Sequence, residues 1–245
     1  MSEIVLSSAV RSNLLQLQST SDLIGSTQTK LATGKRVNSA LDNPNNFFTA
    51  QGLDNRANDL NNLLDGMSTG INTIEAANNG ITAITKLVQS AQSLVSQAQQ
   101  TSDTTVRASL ATQFGAIRTQ IDQLAGDAGF NGTNLLNAQS LTIKLNEGGT
   151  SSTTVTGVTD TATGLSIAAS ANNWADSAAI TAASTDLTAA LATLRSQAQT
   201  LGSNLSIVQI RQEFTKATIS TLQAGSAALT LADSNQEGAN LLAAC

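Results

Sequence analysis

The stretch LDNRANDLNNLLDGMSTGINTIEAANNGITAITKLVQSAQSLV, Leu53 to Val95, decides the fold. Leu53, Leu60, Met67, Ile74, Ile81, Val88 and Val95 recur along it every seven residues, and Ala57, Leu64 and Ile71 form a second row. An apolar repeat of this period, with no proline inside it, specifies a helix whose stripe faces other helices. At about 1.5 Å per residue the segment would be roughly 65 Å long, while a compact domain of this size has a radius of gyration of only about 18 Å. The expectation is a mainly α protein: an elongated antiparallel helical bundle or coiled-coil rod, with a small β-hairpin region inserted in its middle.

A returning partner helix is expected from about Ser184. Positions 187, 191, 194, 198, 201, 205, 208, 212, 215, 219, 222, 226 and 229 alternate steps of four and three, and ten of the thirteen are apolar. The polar ones include Gln212 and Thr215, which either fix the register of the seam or mark a less deeply buried stretch; the second reading is the simpler.

Residues 2–33 read as a first helix. Val10, Leu17, Ile24 and Leu31 step by seven, Leu14 lies between, and Ile4, Leu15 and Leu23 widen the stripe. Thr33-Gly34 is a stop, because glycine accepts the left-handed conformation that closes a helix. Asn43-Pro44 is a start, with Asn as cap and Pro at the first helical position. The adjacent Phe47 and Phe48 are either a knob for a neighbouring subunit or a local plug. The second helix should run to about Gln100, with Asp54, Asp59 and Asp65 as solvated charges on its flank. Ser102-Asp103-Thr104 breaks it and caps a third helix carrying Leu110, Phe114, Ile117, Ile121 and Leu124, ending at Gly126.

Between 127 and 175 the pattern becomes strand-like. Leu141, Ile143 and Leu145 alternate with Thr142 and Lys144, Glu147-Gly148-Gly149 is a turn, and Leu165 and Ile167 hint at one more strand. This region reads as an exposed insertion suited to variation, with O-linked sugar as the lesser expectation. The expected divisions are 1–43 (first helix and connector), 44–126 (rod helices), 127–183 (β-rich variable region) and 184–245 (returning helix).

Composition excludes several functions. The chain has no histidine, one cysteine and a net charge of −5. The lack of histidine removes the usual proton shuttle and transition-metal ligand. The acidic balance argues against nucleic acid. Cys245 has no internal partner and reads as an added or engineered terminus. No apolar run is long enough to span a membrane, and the first residues lack a cleavable secretory signal. No catalytic, cofactor or metal site is expected. Five Phe, one Trp and no Tyr leave few aromatic anchors, so Leu, Ile, Val and Ala at helix seams should make the interior.

Five segments carry a family resemblance. LATGKRVNSALDNP (Leu31–Pro44) resembles the sequence after the first helix of bacterial flagellins, GINTIEAANNGITAI (Gly70–Ile84) their long second helix, and FNGTNLL (Phe130–Leu136) the motif leading into their first hairpin. LGSNLSIVQIRQEFTKATISTLQAG (Leu201–Gly225) and ADSNQEGANLLAA (Ala232–Ala244) are similar to the carboxy-terminal region of the small α-proteobacterial kind.

The resemblance implies a structural subunit that polymerises through its terminal and rod helices into the flagellar filament, for swimming motility. A hook–filament junction protein is the alternative. Self-association is the implied partnership, with an export chaperone and a filament cap as further partners, and the implied location is the extracellular flagellum, reached without a cleaved signal. Ile4, Val10, Leu14, Leu17, Ile24 and Leu31 would then lie in the inner tube. The helix-packing and subunit residues expected overall are Val10, Leu14, Leu17, Ile24, Leu31, Phe47, Phe48, Leu53, Leu60, Ile74, Ile81, Val88, Leu201, Leu205, Val208, Ile219 and Leu222. Two departures from the family are expected. The final helix should be missing, leaving the first helix without a partner. Ala91 stands where better-known flagellins present an Arg to the innate receptor, so strong recognition there is not expected.

Overall fold

The computed structural model describes residues 8–244, so Ile4 and Cys245 lie outside the described residues. Among the described residues there are five α-helices and one hairpin, with a short 3-10 turn at Ala171–Trp174: α1 (Ser8–Thr33), α2 (Pro44–Gln100), α3 (Thr104–Asp127), β1 (Leu141–Lys144), β2 (Ser152–Val155), α4 (Ser177–Thr230) and α5 (Ser234–Ala244). The 57 residues of α2 make it about 85 Å long. Capping chemistry sets the helix ends. Asn43 Oδ1 accepts from Asn46 N at 3.0 Å, Asp103 Oδ1 from Thr105 N at 2.8 Å, and Asp176 Oδ1 from Ala179 N at 2.7 Å. Gly34, at φ 68°, closes α1.

The chain divides into two compact units. In the first (1–59 with 217–245), the connector after α1 is clasped to the end of α4. Arg36 N donates to Thr230 O at 2.8 Å, Ala232 N to Gly34 O at 3.0 Å, and the Arg36 guanidinium to Ala228 O at 3.3 Å. Asp42 gathers the connector by accepting from Asn38 N (2.9 Å) and Ser39 N (2.8 Å). Those bonds, Asn38's first, hold its carboxyl below the usual carboxylate range. The family-like stretch Leu31–Pro44 is thus a helix stop, a clasp and a helix start in succession. Thr27, Val37, Ala50, Ala57, Ile219 and Leu222 are buried in this unit.

Helix α5 packs along α1, with Lys30 Nζ 3.7 Å from Glu237 Oε1. The expectation that α1 would have no helical partner is therefore corrected: a partner starts at Ser234, after Asp233 caps it through Asn235 N at 2.9 Å. A short Leu231–Asp233 break, invisible to the apolar period, allows it.

The second unit (60–216) has one continuous core. Met67, Ile74, Ile81, Ile84, Val88 and Val95 from α2 meet Leu110, Phe114 and Ile121 from α3, and Ile180, Leu187, Leu194, Leu201 and Val208 from α4. Truncating one such Leu or Ile to Ala typically costs about 2–5 kcal/mol. Phe114 and Trp174 pack with ring centroids 5.0 Å apart, so an aromatic anchor does exist here despite the sparse composition.

The 127–175 region departs from its expectation as an exposed insertion. β1 and β2 pair antiparallel as expected, Leu141 opposite Val155 and Lys144 opposite Ser152. Yet Leu135, Leu136, Ile143, Val155, Ala162, Leu165, Ile167 and Trp174 are all buried in the core. Leu165 and Ile167 form no strand. They flank a turn at Ser166 (φ 58°) and each plugs the core singly. Asn172, Asn173 and Trp174 all lie at positive φ, turning the chain sharply into α4, which begins at Ser177 rather than Ser184.

Glycines on α2 make room for this region. A Cβ on Gly80 would lie 2.6 Å from Leu136 Cδ1 and 2.7 Å from Ala128 Cβ, and one on Gly70 would overlap Ile143 Cδ1. Both belong to the family-like stretch Gly70–Ile84. In FNGTNLL, Asn131 and Gly132 (φ 47° and 79°) form the turn, closed by Thr133 N donating to Phe130 O at 3.0 Å. Asn134 then caps α3 from outside: its Nδ2 donates to Ala125 O (2.7 Å) and Gly126 O (2.8 Å), and its Oδ1 accepts from Leu136 N (2.9 Å).

Candidate functional site: apolar helix faces

A seven-residue apolar row states that a helix face needs cover, and the structure shows which rows the chain covers itself. Of the expected packing residues, Leu60, Ile74, Ile81, Val88, Leu201, Val208, Ile219 and Leu222 are buried. Ile24, Leu31, Phe47, Leu53 and Leu205 are half-buried. Val10, Leu14, Leu17 and Phe48 stand in solvent, Leu17 at 69% exposure, together with Leu15 and Leu23. The Phe47 and Phe48 rings meet edge-on, centroids 5.5 Å apart, so Phe47 steadies a Phe48 that projects outward. Asp54, Asp59 and Asp65 are exposed.

One outward row escaped the sequence reading. Ile207, Ile210 and Phe214 are exposed on α4, Phe214 at 63%. Their spacing, three then four, is itself helical, but it runs beside the 208–212–215 row that the apolar period marks as the seam. The polar seam residues also need correction. Thr215 is 3% exposed, so this stretch is not shallow; its Oγ1 donates back to Arg211 O at 2.9 Å, which satisfies a hydroxyl inside the seam. Gln212 is half-buried and its Nε2 donates across to Ser68 Oγ of α2 at 2.9 Å. That bond ties α4 to α2 at one position.

Arg107 is a buried cation that sequence reasoning passed over. Its Nε donates to Thr101 O (2.8 Å) and Ala98 O (3.2 Å), its Nη1 to Ala175 O (3.4 Å) and its Nη2 to Ser177 Oγ (3.3 Å). The guanidinium thus meets free carbonyls at the end of α2, where the helix dipole is negative, and the entry to α4. Ala91 is buried in the core of the second unit.

Among the described residues no group of three His, Cys, Asp or Glu could hold a metal ion, and no helix is long and apolar enough to cross a membrane. Most of the large apolar side chains left in solvent lie along helices, while Leu41, Phe130 and Leu231 lie in connecting segments. The arrangement defines a mainly helical protein whose exposed apolar chemistry is laid out in rows rather than around a pocket.

Comparisons with known proteins agree with that class. The family described as bacterial flagellin N-terminal helical region matches residues 2–141, and the chain belongs to the bacterial flagellin family. It is 33% identical to flagellin FljN of Caulobacter vibrioides over 149 residues, 60% of this chain and 54% of that protein. It is 30% identical to a flagellin of Aquifex aeolicus over 127 residues, 51% of this chain and 24% of that one. The chain therefore spans about half the length, or less, of these relatives. Its fold is similar to the crystal structure of Bacillus cereus flagellin, with a TM-score of 0.53 and 21% identity, covering 63% of this chain and 88% of that one.

Proposed function

We propose that this chain is a structural subunit of a bacterial flagellar filament, acting by self-association and not by catalysis. The observation that carries the reading is the family match over residues 2–141. The outward rows on α1 and α4 supply the chemistry: large apolar side chains in solvent gain about 25 cal/mol per Å2 when a second copy covers them. Heterologous contacts that do not close a ring build open helical polymers. In this reading residues 1–43 and α5 serve an inner tube, and Phe48, Ile210 and Phe214 meet neighbouring copies. Export without a cleaved signal, a chaperone that shields the apolar rows beforehand, and a cap that orders addition belong to the same reading.

The test is expression in a bacterium deleted for its own flagellins, comparing the parent sequence with Leu14→Asp/Leu17→Asp and Ile210→Asp/Phe214→Asp. Both pairs are exposed, so each variant should keep the circular dichroism of the parent while filaments and swimming are lost. Filaments of normal length from both variants would overturn the reading.

A further inference from the structure

The chain contains two Asn-Gly pairs, Asn79-Gly80 and Asn131-Gly132. An asparagine in front of a glycine is open to a reaction that needs no enzyme. With no Cβ on the next residue, that residue's backbone nitrogen can reach the side-chain carbonyl. The structure treats the two pairs differently. Gly80 is buried inside α2, where the helical ladder engages its N–H and Leu136 and Ala128 crowd its Cα. Asn131 and Gly132 are both exposed at the tip of the Phe130–Thr133 turn, and nothing lies within 4 Å of the place a Cβ on Gly132 would take. Among the described residues neither the Asn131 side chain nor Gly132 N makes a hydrogen bond. Asn38-Ser39, the next least hindered pair, is tied at both ends: Asn38 Nδ2 donates to Lys35 O at 2.9 Å and Ser39 N to Asp42 Oδ2 at 2.8 Å.

We propose that Asn131 is a site of spontaneous covalent modification, with the peptide backbone as nucleophile and water as co-reactant. The Gly132 N–H gives its proton to hydroxide, and the nitrogen attacks Asn131 Cγ. A new N–Cγ bond forms, the Cγ–Nδ2 bond breaks, and the amide nitrogen leaves as ammonia after taking a proton from water. Water then opens the five-membered imide. Cleavage of its N–Cγ bond gives aspartate at this position. Cleavage between that nitrogen and the Asn131 backbone carbonyl carbon gives isoaspartate, in which the main chain runs through Cβ and Cγ. Either way one amide and one water become one carboxylate and one ammonium ion.

The two products differ in what they do to the fold. Phe130 N donates to Thr133 O at 2.9 Å and Thr133 N to Phe130 O at 3.0 Å, a pairing that a two-residue turn closes. Directly after it, Asn134 caps the end of α3, and Leu135 and Leu136 are buried. Aspartate leaves the main chain unchanged and suits the left-handed conformation at φ 47°. Isoaspartate puts an extra main-chain carbon between the paired residues and displaces Asn134 from the carbonyls it caps. The isoaspartyl chain should therefore hold the end of α3 less firmly than the aspartyl one, independently of the assembly reading.

The experiment incubates the folded full chain in mildly alkaline buffer and follows its peptides by mass spectrometry, with isoaspartate read by an isoaspartyl methyltransferase. Conversion at Asn131 should run roughly ten-fold or more faster than at Asn79, because α2 must open before Gly80 can react. In concentrated urea, which removes that protection, the two sites should convert at similar rates. Asn131→Asp should release no ammonia from this site and keep the parent's urea midpoint, read by Trp174 fluorescence. The aged, isoaspartate-bearing chain should have a lower midpoint. No conversion at Asn131, or conversion at Asn79 as fast in the folded chain, would overturn the proposal. An aged chain as stable as Asn131→Asp would overturn its structural consequence. The rate comparison needs the parent alone, so it decides the site whether or not Asn131→Asp folds.

Discussion

Replacing Asn134 by Ala should be among the most damaging single changes in the second unit, although the residue is small and polar. Its side chain makes three bonds, two to the last carbonyls of α3 and one from Leu136 N, in a setting that is largely closed to water. The Leu136 N–H would be left buried and unpaired, at about 1–3 kcal/mol, and the two carbonyls would each lose a bond of about 1 kcal/mol net, partly recovered by water. The sum is about 3 kcal/mol. At about 2–4 °C per kcal/mol for a domain of this size, the melting temperature should fall by about 6–12 °C. The assay is urea unfolding followed by the chain's single tryptophan, Trp174, which is buried against Phe114 and reports this unit. Asn134→Asp should do no better, since it keeps the acceptor but loses the donor and turns a charge toward carbonyl oxygens. Asn137→Ala, at an exposed position in the same loop, should stay within about 0.5 kcal/mol of the parent. An Asn134→Ala variant equally close to the parent would refute the reasoning, because it would mean that neither the cap on α3 nor the unpaired Leu136 amide matters.

Two glycines of α2 should respond with opposite signs. Gly80→Ala should destabilise by about 1–2 kcal/mol, since Leu136 and Ala128 must shift, while Gly66→Ala, with nothing near its added methyl, should stabilise by about 0.5–1 kcal/mol in the same unfolding assay. Arg107→Met should cost about 3 kcal/mol, because it strips donors from carbonyls at the α2–α3 turn and the start of α4. A double-mutant cycle of Gln212→Ala and Ser68→Ala should show a coupling of about 0.5–1 kcal/mol, and no coupling would mean that the cross-helix bond does not hold in solution.

The helices were legible in the sequence because their ends carry local chemistry. Asn43-Pro44, Asp103 and Gly34 act within four residues of themselves, and a reader needs nothing distant to interpret them. The 127–175 region was not legible beyond its hairpin, for a physical reason. Its buried side chains enter the core one or two at a time, between turns built on left-handed residues such as Asn131, Ala138 and Ser166. No period forms, so Leu165 and Ile167 read as a strand when each is a separate plug. Gly70 and Gly80 were opaque for the same cause, since the atoms that need their space, on Ile143 and Leu136, lie far away in sequence.

Periodicity was also silent on which apolar rows close on the chain itself. The row Leu60, Ile74, Ile81, Val88 is interior, whereas Val10, Leu14 and Leu17, equally regular, lie in solvent. On α4 the adjacent pair Phe214 and Thr215 sharpens the point, for the phenyl ring is 63% exposed and the threonine 3%. A helix serving only its own core would gain by the reverse order, since burying a Phe is worth about 2–3 kcal/mol and a Thr far less. The threonine is tolerable because Arg211 O satisfies its hydroxyl within the helix. With Ile207 and Ile210, Phe214 makes an exposed row that becomes favourable when another surface covers it. The same physics that closes the core therefore leaves this chain's remaining apolar faces to be closed from outside.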